Sequence, residues 1–311
     1  MSQTHPTHPV DVSIVIPTYN RSHSLERTLR SIDGHTSTFS YAVTVIDDGS
    51  PDNTCQMLSQ MQKQVSYPLQ FHTQKNSGPA VARNLGISST QSPYVVFLDD
   101  DHEVLPGWLN ALCAPLSDPD VGFVNGKNDS VPDGGIAARY VCLRDERESD
   151  KVAADKKRYL TSGNAALHRT TLEKTKGFNP QYRAVFKGVA PGGEDTDLGM
   201  RICSLGLKIV YRPDALTLHY REMTLRKLFK ERFNFGRNRI KWLRAEGRPA
   251  TFIGILFRLF RTTLSMIAIP KKIVNFRKNK YAIQDCIAFA FLDKLTLIIY
   301  ETGTFYGFVF K

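Results

Sequence analysis

Tyr94-Val95-Val96-Phe97-Leu98-Asp99-Asp100-Asp101 is the stretch that decides how this chain is read. A compact apolar run has the length of a buried strand, and three carboxylates follow it without a spacer. Carboxylates gathered at a strand end are costly to fold around unless something cationic fills the gap. Alternate residues at a strand end point to the same side, so Asp99 and Asp101 can face one ligand together. Oxygen ligands of this kind suit Mg²⁺ or Mn²⁺. The alternative is an acidic turn that only solvates a loop.

The pattern recurs. Val45-Ile46-Asp47-Asp48-Gly49-Ser50 is a second apolar run ending in acids, with a glycine that permits a sharp turn. It also reads as a turn with helix-capping acids. Gly192-Gly193-Glu194-Asp195 places two acids at the start of a helix predicted from Thr196 to Leu205. A helix N-terminus keeps a carboxylate ionised, which suits a proton acceptor, and it equally suits a simple N-cap.

Working outward, Val12–Pro17, Ala42–Ile46 and Leu69–His72 are further strand-length runs. Helical spacing covers Ser24–Ile32, Pro51–Met61, Pro79–Ile87 and Trp108–Leu116 between and after them. Alternation of this kind predicts an α/β fold with a mostly parallel central sheet flanked by helices. In such sheets ligands bind beyond the carboxyl ends of the strands, where the acids at 47–48 and 99–101 lie. After Val121 the rhythm loosens. Short strands are expected at Asn164–His168, Lys208–Tyr211 and Leu216–His219, with a charged helix or flap from Ala137 to Arg158.

Two further residues stand out. Arg83 lies one turn into the helix opened by Asn76-Ser77-Gly78-Pro79, where free N–H groups and a guanidinium suit a phosphate. The plainer reading is a capped helix with a surface Arg. His219 follows the apolar Leu216–Leu218, and is either a structural histidine or a neutral imidazole ligand for Mn²⁺. There is no G-x-x-x-x-G-K-[ST] loop and no G-x-G-x-x-G after the first strand, which argues against a P-loop or a dinucleotide-binding unit.

Taken in order, these segments resemble the family 2 glycosyltransferases of GT-A fold over roughly Val10 to Trp242. The matching segments are Ser13–Asn20, Asp47–Ser50, Asn76–Gly86, Asp99–Asp101, Ser162–Ala165 and Gly193–Asp195, with the Arg237-containing segment beyond them. The resemblance implies inverting transfer from a nucleoside-diphosphate sugar, with UDP the first choice. By that resemblance Pro17 and Tyr19 shape the wall around the base, and Asp48 binds the base or ribose. Arg83, Asp99 and Asp100 lie on the donor side, and Asp101 and His219 hold Mn²⁺ or Mg²⁺. Asp195 is the base and Glu194 orients the acceptor, with Gly192, Gly193 and Asn164 on the acceptor side. The Gly-Gly-Glu-Asp form resembles a galactosyltransferase-type motif, which hints at galactose or an N-acetylhexosamine. The stretch Arg139–Arg158 departs from the family pattern.

The chain has 311 residues and a formal charge of +11, concentrated in its rear part. Arg221 to Lys280 holds 17 Lys or Arg against 3 Glu. The expected organisation is a tail over 1–9, a catalytic domain over 10–220 and a basic amphipathic helical region over 221–311. Within the catalytic domain the nucleotide-sugar half spans 10–101 and the acceptor half 102–220. The polar start lacks the apolar core of a secretory signal, and five scattered cysteines without a C-x-x-C pair fit a reducing cytoplasm.

A spanning helix needs about 20 predominantly apolar residues. Ile253–Ile269 is near that length but carries two Arg, so helices lying in an anionic membrane interface are expected at the inner face of the cell membrane. Packing on protein and true spanning are the alternatives. An interfacial enzyme would take a saccharide or lipid-linked acceptor. Two competing functions remain. A nucleotidyltransferase would want a Gly-rich basic loop where Pro17-Thr18-Tyr19-Asn20 stands. A nucleic-acid-binding protein would use the basic block but leave the acids unexplained, so no nucleic-acid partner is expected.

Overall fold

The computed structural model describes residues 10–154, 161–180, 194–245, 250–278 and 281–310. The chain divides into two compact units. The first comprises residues 1–131, 146–183 and 192–220; the second comprises 132–145, 184–191 and 221–311.

The first unit is built on a mixed sheet. Its strands are β1 (Val12–Thr18), β2 (Tyr41–Asp47), β3 (Leu69–Thr73), β4 (Tyr94–Leu98), β5 (His102–Val104), β6 (Val121–Asp133), β7 (Asn164–His168) and β8 (Lys208–Glu222). They lie in the order β3-β2-β1-β4-β7-β6-β8-β5. The pairs β3–β2, β2–β1 and β1–β4 are parallel. Beyond β4 the sheet turns antiparallel, at β4–β7, β7–β6 and β8–β5.

β1 shows why both faces are covered. Val12, Ile14 and Ile16 pack on one face with Leu25, Leu29, Val43, Leu58 and Trp108. Val15 points the other way and packs with Phe97, Phe123, Leu172, Phe178 and Leu198. A strand buried on both faces reads as a continuous apolar run, which is why these strands were legible. Pro17 faces Ile46 in register, but the β1–β4 pairing ends at Val15–Phe97. Its missing N–H therefore costs no ladder bond toward β4.

Chain direction places the ends of β1, β2 and β4 side by side along one edge. The order 2-1-4 also puts the topological switch between β1 and β4, where an open α/β sheet leaves a crevice.

The rear of this unit differs from the sequence expectation. Lys208–Glu222 is one long strand, not two short ones. The apparent break at Arg212-Pro213-Asp214 stays extended. Arg212 and Asp214 share a face and pair at 2.9 Å, so their charges need no turn to reach water. β6 was not anticipated, because its Gly, Asn, Asp and Pro residues carry poor strand propensity. The charged stretch after β6 forms a helix, Ile136–Ala154.

The second unit is helical, with Leu225–Ala245, Phe252–Leu264, Ile269–Lys278 and Ile283–Val309. Ala138, Tyr140, Leu228, Phe276, Cys286 and Phe289 form its core. The helices Leu225–Ala245 and Ile283–Val309 approach closely. A β-carbon on Gly236 would collide with the Tyr300 carbonyl, and one on Gly303 with the Phe233 carbonyl.

Candidate active site

The crevice edge is laced together by the acids themselves. The Asp48 N–H donates to the Thr18 carbonyl at 2.9 Å, and Thr18 Oγ1 donates to Asp100 Oδ2 at 2.7 Å. Thus the ends of β2, β1 and β4 are tied in sequence. Asp48 also organises the turn before the helix Pro79–Ser88. Its Oδ1 accepts from Gln74 Nε2 at 2.7 Å and from the Ser77 N–H at 2.6 Å, and its Oδ2 accepts from the Gly78 N–H at 2.7 Å. Gly49 lets the chain enter that turn: its φ is +77°, and a β-carbon there would sit 2.9 Å from the Gln74 carbonyl.

Asp101 is held by three cationic or ring groups. Arg21 Nη1 donates to Asp101 Oδ2 at 2.8 Å and to Asp100 Oδ1 at 3.0 Å. His219 Nε2 lies 3.3 Å from the same Asp101 Oδ2. His102 Nδ1 lies 3.1 Å from Asp101 Oδ1. The β5–β8 register places His102 opposite His219, and the two rings stack with centroids 4.3 Å apart.

Burial would raise the Asp101 carboxyl, but His219 and the hydrogen bonds from both imidazoles hold it well below the usual carboxylate range. Burial pushes neighbouring Asp100 up to about 6, with Arg21 and Thr18 pulling the other way.

The donor set fits a divalent ion of the Mn²⁺ type. One ligand atom each from Asp101, His102 and His219 lie within 4.8 Å of one another. His102 Nε2 is buried without a hydrogen-bond partner beside them. A carboxylate with imidazoles is a borderline donor set that suits Mn²⁺ better than Ca²⁺. Sequence reading named Asp101 and His219 but missed His102 and Arg21. The only available signal for His102 was its position directly after the acidic triplet.

The second pair of acids meets the first through Arg83 and the turn before β7. Arg83 is 5% exposed and donates from Nη2 to Asp99 Oδ1 at 2.9 Å. Its Nη1 lies 3.5 Å from Glu194 Oε1, at the start of the helix Glu194–Ser204. Arg83 is thus a buried counter-ion to acids and not the surface Arg of a plain capped helix. The Asp99 N–H donates to the Gly163 carbonyl at 3.1 Å. A β-carbon on Gly163 would lie 2.6 Å from Asp99 Oδ2 and 3.4 Å from His102 Cε1, so a side chain there would displace the Asp99 carboxylate.

Asp195 sits next to this cluster with its Oδ1 buried and without a hydrogen-bond partner. Burial pushes its carboxyl up to about 6; Arg83 and Ser162 pull it down, and Glu194 adds to the rise. A carboxylate tuned to that value is ionised at neutral pH yet basic enough to take a proton.

The remaining predicted residues are placed as follows. Tyr19 is 47% exposed just past β1, and Pro17 is half-buried at its end. Asn164 is fully buried with its amide spent internally: Oδ1 accepts from Trp108 Nε1 at 2.8 Å, and Nδ2 donates to the Ala215 and Lys127 carbonyls. Its geometry is that of a brace between β7 and its neighbours. Gly192 and Gly193 lie outside the described residues.

Comparison with known proteins agrees with this architecture. The chain is 29% identical over 233 residues to the pre-mycofactocin glycosyltransferase of Mycobacterium tuberculosis, covering 73% of this chain and 46% of that protein. It therefore spans about half the length of that relative. It is 25% identical over 236 residues to the glycosyltransferase AglE of Haloferax volcanii, covering 75% and 74% of the two chains.

Among solved structures, the mannosyltransferase PcManGT of Pyrobaculum calidifontis, in complex with GDP-Man and Mn²⁺, superimposes with a TM-score of 0.64 at 18% identity. That match covers 97% of this chain and 88% of the other. GalNAc-T7 with UDP, GalNAc and Mn²⁺ gives 0.54 at 18% identity over 69% of this chain and 44% of that one. The family model for glycosyl transferase family 2 matches residues 13–175, and with the GT-A fold described above the chain belongs to that family.

Proposed function

We propose that this chain is a metal-dependent, inverting glycosyltransferase that moves a hexose or N-acetylhexosamine from a nucleoside-diphosphate sugar to a saccharide or lipid-linked acceptor. One observation carries the reading. Asp195 is linked through Arg83 and the Ser162-Gly163 turn to Asp99, and so to the Asp101–His102–His219 cluster. A proton acceptor and a divalent-ion donor set thus share one continuous network.

In this reading Tyr19 and the Asp48-braced turn receive the nucleotide, and Asp99 and Asp100 face the donor. Asp101 and His219 hold the ion, with His102 as a third donor or as support for both. When bound, the ion neutralises charge that grows on the departing diphosphate. Asp195 accepts the acceptor hydroxyl's proton as that oxygen attacks the anomeric carbon from the face opposite the leaving group. Glu194, tethered to Arg83, orients the acceptor beside it. One displacement inverts the anomeric centre.

Relatives of the same fold were captured with GDP-Man and with UDP, each with Mn²⁺, so both nucleotides belong in the test. The galactosyltransferase-like Gly-Gly-Glu-Asp motif favours galactose or an N-acetylhexosamine as the sugar. A thermal-shift panel of UDP-, GDP-, CMP- and dTDP-sugars, with and without Mn²⁺, should give one nucleotide whose stabilisation requires the ion. Identical melting across the whole panel would sink the reading.

We also infer a place for the enzyme at the inner face of a membrane, touching it peripherally. Phe252–Arg277 is one helical run long and apolar enough to cross a membrane by length and composition. Ile253 (79% exposed), Phe257, Phe260 and Ile267 (81% exposed) leave an apolar face open, with Arg261 and Lys271 close in sequence. Apolar contact plus attraction to anionic lipid is the signature of an interfacial helix. The full chain should float with anionic vesicles and less with neutral ones. Equal recovery in the soluble fraction with and without vesicles would remove the membrane from this proposal.

A further inference from the structure

Among the described residues, Arg21 is the arginine placed directly on the Asp101 carboxylate, and nothing in the proposed chemistry uses it. Its backbone is fixed on both sides. The Asn20 N–H donates to Ser50 Oγ at 2.8 Å, and the Ser22 N–H donates to Asp52 Oδ2 at 3.1 Å. Asn20 takes the left-handed conformation, with φ of +55°, that turns the chain into the helix Ser22–Ile32. The side chain is different: it is 43% exposed and is held by the two carboxylates.

A single nitrogen, Nη1, bridges Asp100 Oδ1 at 3.0 Å and Asp101 Oδ2 at 2.8 Å. Asp101 Oδ2 is also the oxygen that lies 3.3 Å from His219 Nε2. Its other oxygen is engaged by His102. A divalent ion bound by Asp101 and His219 needs Oδ2 at about 2.0–2.2 Å, the ordinary metal–ligand length. It would meet the guanidinium at that same oxygen, and two cations sharing one lone-pair region repel strongly in a partly buried site.

Resting on the metal-dependent reading above, we propose that Arg21 is a displaceable counter-cation that competes with the divalent ion for Asp101 Oδ2. Free metal then binds weakly, because it must expel Arg21. A nucleoside diphosphate shifts the balance by giving the expelled guanidinium an anion to face. The donor's diphosphate and the metal therefore load together, and the site does not hold a bare ion on its acids.

The test is Mn²⁺ binding to the full chain, read by the loss of free-Mn²⁺ electron paramagnetic resonance signal, with and without UDP or GDP. For the unaltered protein the nucleotide should tighten Mn²⁺ binding. Arg21→Gln should bind Mn²⁺ alone about tenfold more tightly, with most of the nucleotide's enhancement gone. Arg21→Lys keeps a cation in place and should stay close to the unaltered protein, which separates loss of charge from a disturbed turn. If Arg21→Gln binds Mn²⁺ no more tightly than the unaltered protein, the competition does not exist. If no form binds Mn²⁺ under any condition, the metal-dependent reading itself falls and takes this proposal with it.

Discussion

The Arg83 guanidinium donates to Asp99 Oδ1 at 2.9 Å from inside the protein, where the Arg is 5% exposed. Its other terminal nitrogen faces Glu194, and its charge also acts on Asp195. One buried cation therefore stands between the acids that end β4 and those that open the helix Glu194–Ser204. Its own side chain is favoured as a cation by Asp99, Asp195 and Glu194, which outweigh the cost of burial.

Removing that cation should cost stability. Arg83→Ala leaves Glu194 and Asp195 buried without their counter-charge, and breaking a buried pair from one side costs about 3–5 kcal/mol. Asp99 is more open, so the lower end of that range is expected. Arg83→Lys should recover only part of the loss, since an ammonium cannot fork between two carboxylates. Urea unfolding of the three proteins measures both differences.

If Asp195 is the proton acceptor proposed above, it sets the pH dependence of transfer. The proton acceptor must be ionised, and burial has raised its carboxyl to about 6. Transfer should be full above that value and fall about tenfold per pH unit below it. Asp195→Asn should lower the rate by roughly 10²–10⁴-fold while donor affinity stays within about twofold. A pH–rate profile of kcat/KM, together with donor titration of the variant, checks both. A near-normal rate in Asp195→Asn would reassign the base.

Asp48 should act on nucleotide binding through the turn it holds. Asp48→Asn turns an NH2 group toward one of the donors it now accepts from, the N–H groups of Ser77 and Gly78. An unsatisfied buried donor costs about 1–3 kcal/mol. Gly49→Ala should be damaging for a separate reason, because alanine disfavours a φ of +77° and its methyl would press on the Gln74 carbonyl. Both variants should weaken nucleoside-diphosphate binding by isothermal calorimetry and leave Mn²⁺ binding by the nucleotide-free protein largely unchanged.

The helical unit has its own point of weakness. Gly303 lies against the Phe233 backbone so tightly that any side chain must push the helices apart. Gly303→Leu should lower the melting temperature by several degrees despite leucine's better helix propensity, because overpacking of about 1–3 kcal/mol exceeds the roughly 1 kcal/mol gained locally. Differential scanning calorimetry reads the balance. Leu295→Ala, at an exposed position of the same helix, should change little.

Much of the catalytic framework was open to reading from local pattern. β1, β2 and β4 are buried, mostly apolar runs, and the edge strand β3 alternates apolar with polar residues, so each announces itself without knowledge of its neighbours. The acids at 48, 99 and 101 were legible for the complementary reason, since charged residues directly after such runs must lie at strand ends. β6 and the full length of β8 were not legible. Their glycines, prolines and charges give weak local signals, and pairing with distant strands decides their conformation.

The amino-acid order alone thus determined strands β1 to β4 and the acids that end β2 and β4, because apolar periodicity and turn residues act over a few neighbours. Only the tertiary structure decided whom each charged group meets. It made Arg83 a buried counter-ion, where the plainer reading was a surface Arg, made Asn164 an internal brace, and brought His102 and Arg21 onto Asp101. Those partnerships join residues from 1 (His102 and Asp101) to 194 − 83 = 111 (Glu194 and Arg83) positions apart, and electrostatics and burial depend on distance through space, which residue order does not record.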